Sequence, residues 1–173
     1  MLEWYPKSQA KHYLIIDVLT VLLFSYMMIV SEQVSSIVFK IVLIVMYVGA
    51  YYTALWYQDG LLLPAAVLGF VITAYLAYLG GPQWIFFQFA FADFVGRAVN
   101  KCILWIATCI NFLLLASLVW LYQDVLFSNA QSIVLAVMLF ILLLPLLRYY
   151  IEKSKLLQHV VDDATVQIVM QQE

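Results

Sequence analysis

Residues 102–122 read CILWIATCINFLLLASLVWLY, a run without one charged side chain. An α-helix rises about 1.5 Å per residue, so a run of this length matches the ~30 Å hydrocarbon core of a bilayer. Asn111 is its most deeply placed strongly polar residue. The segment reads as a transmembrane helix, and the fold follows from how much of the chain is built like it.

Most of it is. Working outward, hydrophobic runs lie at 84–96, 61–79, 36–57 and 13–31 on one side and at 131–149 on the other. Of the 173 residues 66% are hydrophobic and 10% charged, with a mean hydropathy of +1.00. Soluble domains carry about 45–50% apolar and about 25% charged residues, so this chain has too little charge to cover a water-facing surface. The expected fold is an all-α polytopic membrane bundle of about six transmembrane helices (residues 1–149), followed by a cytoplasmic C-terminal helix (150–173). Five of the six runs are long enough to span. The fourth, Trp84 to Gly96, is short and must thin the bilayer, recruit its flanks or re-enter.

The breaks have physical causes. Ser31-Glu32-Gln33 is polar, and Gln58-Asp59-Gly60 supplies a turn with a glycine. Gly80-Gly81-Pro82 joins free backbone to a ring that cannot continue a helix, and Ser128-Asn129 marks the last break. No small-residue cleavage site follows the first span, so that span is expected to remain in the mature protein.

Cations set the expected orientation. With the N-terminus inside, the cytoplasmic segments hold Lys7, Lys11, Arg97, Lys101, Arg148, Lys153 and Lys155, leaving Lys40 outside near Glu32. This implies a plasma-membrane protein with both termini cytoplasmic. The aromatics agree: Trp4, Tyr5, Trp56, Tyr57, Trp105, Tyr149 and Tyr150 fall at the inner interface, and Tyr78, Trp84, Trp120 and Tyr122 at the outer one. Lys40 is expected to reach water along its stem.

Past Tyr149 the chain turns polar but keeps an apolar seam of Leu157, Val161, Ala164 and Ile168. Spacings of four, three and four suit a helix that meets a partner helix, so a homodimer through this segment is expected. Lying against the membrane or the bundle is the other use of such a tail.

Few residues can carry chemistry. Asp17 and Asp93 lie inside spans, within a turn or so of the cytoplasmic boundary. A charge at the bilayer centre costs at least about 2.5 kcal/mol, so such carboxylates are either an ion-coupling pair or are neutralised by cations such as Lys11, Arg97 and Lys101. Asn111 is interhelical glue or part of a cavity. Pro145 removes one helix hydrogen bond near the exit of the sixth span. Cys102 and Cys109, about 10 Å apart on one helix, are beyond disulfide reach. His12 and His159 have no second His or Cys at metal-ligand spacing. With no Gly-rich phosphate loop and no recognisable Ser/His/Asp arrangement, neither catalysis nor a cofactor is expected of this chain alone. The scattered cations make no nucleic-acid footprint, and the bilayer is the expected partner.

Three stretches resemble the membrane sensor portion of DesK-like sensor histidine kinases. They are the Phe/Ala-rich WIFFQFAFADFVG at 84–96, the exit LLLPLLR at 142–148, and the tail IVMQQE at 168–173. The resemblance implies a bundle that senses membrane state or a membrane-active agent. In that family a two-helix stem relays the signal to a dimeric phosphotransfer domain, an ATP-binding domain and, through them, a response regulator. The phosphoacceptor box would follow residue 173 with an Arg-rich run and a His-Asp pair. His159 is followed by Val160, so the phosphoacceptor role does not pass to it, and kinase activity is expected only of a longer protein. The alternatives are a small transporter or permease subunit, with Asp17, Asp93 and Asn111 around a cavity, and a scaffold protein.

Overall fold

The computed structural model describes residues 13–32, 34–123 and 132–172, with side chains throughout except at 13, 132, 159 and 162–172. The expected break at Ser128-Asn129 and the N-terminal segment with Lys7, Lys11 and His12 lie outside these residues. All regular structure among them is helical: α1 (Tyr13–Val30), α2 (Ile37–Trp56), α3 (Leu62–Gly80), a 3-10 segment (Pro82–Phe87), α4 (Gln88–Val95), α5 (Lys101–Leu121) and α6 (Ser132–Gln172). Four helices are long and apolar enough to cross a membrane, namely α2, α3, α5 and the Ile133–Gln158 part of α6; α1 is shorter but apolar. These are the helices of a multi-pass membrane protein.

The fourth run is not a single α-helix. A glycine at φ +100°, Gly81, turns the chain out of α3, a conformation that costs a residue without Cβ little. Pro82 then opens the 3-10 segment. Because 3-10 winding rises about 2.0 Å per residue against about 1.5 Å in an α-helix, the fourteen residues of the two segments reach roughly 24 Å. They are also the most enclosed part of the bundle. Trp84, Ile85, Phe87, Gln88, Phe91, Ala92, Phe94 and Val95 are all buried. Trp84 is enclosed by the bundle and packs edge-on against Phe24 at 5.8 Å. Tyr149 is likewise buried.

α3 lies at the centre and packs against α2, α5, the 3-10 segment and α4. Its buried residues mix large side chains (Leu62, Phe70, Ile72 and Leu76) with small ones (Ala65, Ala66, Gly69, Thr73, Ala74 and Ala77), and the small ones let neighbours approach closely where apolar burial gives no drive between helices. At Gly69 the Phe91 ring occupies the space a Cβ would need. Around it Phe24 stacks on Tyr47 at 3.6 Å, and the Tyr47 hydroxyl donates to the carbonyl of Phe87 at 3.3 Å.

The helix ends are closed by side chains. Asn100 Oδ1 accepts from the Cys102 N–H at 2.8 Å at the start of α5. Lys40 Nζ donates to the Ile29 carbonyl at 2.8 Å, so its ammonium caps α1 instead of simply reaching water. Tyr122 Oη donates to the carbonyls of Ala77 and Tyr78 at the end of α3. The first satisfies an N–H and the others carbonyls, groups that hydrocarbon would leave without partners.

α6 runs 41 residues without a break, through Pro145 and through the 149/150 boundary expected from composition. At about 1.5 Å per residue it is roughly 60 Å long, twice a bilayer core. The end of the bundle where it leaves, with the 57–61 and 96–100 connections, is called the exit end below.

Candidate functional site

The polar residues of the exit end form one connected set that touches α1, α2, α4 and α6. On α1, Asp17 is 8% exposed and accepts from the Tyr51 hydroxyl of α2 at 2.6 Å. The edge of Tyr51 meets the Phe94 ring at 5.1 Å. Arg97 lies over the same Phe94 ring, its guanidinium carbon 4.8 Å from the centroid, within cation–π range.

Asp93 is the node. Its Oδ2 takes Arg97 Nη2 at 2.6 Å, one helical turn on, and its Oδ1 faces Arg148 Nε of α6 at 3.4 Å. Arg148 Nη2 in turn meets Glu152 at 3.2 Å. The Arg97 contact has hydrogen-bond geometry, whereas the Arg148 contact is an ion pair without it. Two guanidiniums thus stand against two carboxylates, so the charges offset one another.

Gly96 makes the meeting possible. A Cβ there would run into the side-chain stem of Arg148 and come within 2.9 Å of the Pro145 carbonyl. Pro145 is therefore at a close approach of α6 to the end of α4, inside an uninterrupted helix.

Asp17 and Asp93 are brought to the same end but to different partners. Asn111 stands apart from both. It is fully buried, and neither its Nδ2 nor its Oδ1 has a hydrogen-bond partner, so it is not interhelical glue in this arrangement. The hydroxyl of Thr108, one turn earlier, is also unsatisfied. Burying such a group costs about 1–3 kcal/mol, and an apolar group of the same shape avoids that cost. Asn111→Leu, which keeps the branched skeleton, is expected to stabilise the chain by about 1 kcal/mol, read as a higher unfolding midpoint in detergent. A lower midpoint would mean the amide is held by a partner such as water.

Leu157 and Val161 are exposed on α6 beyond the exit, while the side chains of Ala164 and Ile168 lie outside the described residues. Both cysteines are exposed and free. Among the described residues no three His, Cys, Asp or Glu side chains are grouped to hold a metal.

Two grooves matter. An apolar one of about 380 Å³ between α5 and α6 is lined by residues such as Phe112, Trp120, Met138 and Leu142. A polar one of about 300 Å³ at the exit end is lined by Gln58, Arg97, Val99, Arg148, Glu152 and Lys153 among others. Neither is lined by Asp17, Asp93 or Asn111.

Sequence reasoning missed Tyr51, Gln88, Gly96 and Arg148. Gln88 is fully buried and donates to the Phe70 carbonyl at 3.3 Å. Its signal was a lone amide inside a Phe-rich run. Arg148 carried no local signal, because only the packing of α4 on α6 brings it to Asp93.

No family model matches the sequence, and no curated protein or solved structure matches it.

Proposed function

We propose that the chain is a membrane-embedded signal-input module whose output is movement of α6, of the kind that feeds a two-component sensor histidine kinase. In this reading both termini are cytoplasmic in the plasma membrane, and the exit end is the inner end. Two copies pair through the Leu157, Val161, Ala164 and Ile168 seam. A response regulator enters only through a kinase domain outside this chain.

The observation behind it is mechanical. α6 passes uninterrupted from the Asp93–Arg148 ion pair to the apolar seam, so a shift of α4 against α6 has a stiff path outward. A change in bilayer thickness would reach the enclosed fourth segment through the exposed apolar helices packed around it, and that segment has the least length to spare. A transporter has less behind it, since Asp17 and Asp93 hold separate partners and line neither groove.

The test uses the full chain with Cys102→Ser, Cys109→Ser and Leu157→Cys, reconstituted in bilayers of short, medium and long acyl chains. Cross-linking between copies is expected to change steadily with thickness. Ser154→Pro, which breaks a helix interior at a cost of about 3 kcal/mol, is expected to abolish that dependence without preventing insertion. Yields indifferent to thickness would end the relay reading.

A further inference from the structure

We infer that the polar groove at the exit end is a binding site for a phosphate group, and that the phosphodiester of an anionic phospholipid is its occupant. This goes beyond the relay reading and stands whether or not α6 transmits anything.

Charge is the first argument. Arg97, Arg148 and Lys153 line the groove with Glu152, and Asp93 lies behind Arg97 and Arg148. Two carboxylates are matched by two guanidiniums. Lys153 is the surplus: its Nζ stands 5.5 Å from the centre of the Tyr149 ring, and it makes no salt bridge among the described residues. Among the described residues the groove therefore carries one uncompensated positive charge beside two guanidiniums, the donor set that suits a phosphate oxygen cluster.

Shape and position are the second. The floor is fixed, because the Val99 N–H donates to the Gln58 carbonyl at 3.4 Å and ties the two connections together. Val99 and Leu156 line the groove and are exposed apolar side chains, unsuited to a site for a free anion in water but suited to glycerol and the first methylenes of an acyl chain. The groove opens at the level where α2 ends and α3 and α5 begin, which in a bilayer spanned by these helices is the depth of the headgroup layer. Basic pockets between membrane helices at this depth take anionic headgroups.

The protein in nanodiscs of phosphatidylcholine, titrated with phosphatidylglycerol, is expected to show saturable binding by native mass spectrometry and a rise in unfolding temperature. Lys153→Gln should weaken that binding roughly fivefold, the effect of one interfacial cation. The variant leaves the Asp93 ion pairs intact. Lys155→Gln removes an equal charge from the same helix outside the groove and should change binding little. Inorganic phosphate is the third arm. If it competes only weakly, the site takes the lipid phosphodiester. If it displaces the lipid at low concentration, the site still reads phosphate but draws it from solution, which overturns the lipid assignment. Equal weakening by Lys153→Gln and Lys155→Gln would mean general surface attraction and no site. So would equal stabilisation by both lipids.

Discussion

Gly96→Leu is expected to unseat α6 from α4. The Arg148 stem and the Pro145 carbonyl occupy the space the new side chain requires, and neither can yield without moving the helix that carries it. Overpacking of a tight contact costs about 1–3 kcal/mol, and here the ion pair between Asp93 and Arg148 is lost with it. The variant should show a much lower unfolding midpoint and faster proteolysis near residues 96–100. Gly49→Ala is the control, because nothing beyond its chain neighbours and its own helix backbone lies within 4 Å of its Cβ position. A helical Gly→Ala change should be neutral or stabilising by up to about 1 kcal/mol. If Gly96→Leu matched Gly49→Ala in stability, the close approach of α4 and α6 would be refuted.

Asp93→Asn should have the second largest effect. It leaves Arg97 and Arg148 facing one another without their shared carboxylate. Breaking a fully buried pair costs about 3–5 kcal/mol; with the Asp93 side chain 29% exposed, about 2 kcal/mol is expected after solvent screening. Arg148→Gln in the same chain should restore part of the loss, and a double-mutant cycle measures the coupling. The effect of Asp93→Asn should also shrink at high salt. Strict additivity of the two changes would show that Asp93 and Arg148 do not interact.

The four candidate spans were legible because hydrocarbon leaves an apolar chain few options. Ser36 and Trp56–Tyr57 bound α2, and Gly80 ends α3, each close to where polar or turn residues placed the break. Hydropathy fails where it is blind to winding. Residues 84–96 are apolar enough for a span, but hydropathy does not distinguish a 3-10 segment followed by a short helix from one α-helix. Pro82 was the available sign. The 149/150 boundary was drawn on polarity, yet nothing at Tyr149–Tyr150 breaks a helix.

The site was less legible. Asp93 and Arg97 are four apart, and their pairing was within reach of helix spacing. The bond between Asp17 and Tyr51 joins residues thirty-four apart and depends on how α1 leans on α2. Asn111 was noticed for its depth, but depth does not say whether an amide finds a partner.

The joint at Phe87–Gln88 has a geometric consequence. A 3-10 segment advances about 120° per residue and an α-helix about 100°, so each residue that passes from the first winding to the second turns everything downstream by about 20° and shortens the segment by about 0.5 Å. Downstream of the joint lie Asp93, Gly96 and Arg97. The fourth segment is thus a screw thread with two pitches, in which a small change of length at one end is also a change of angle at the other.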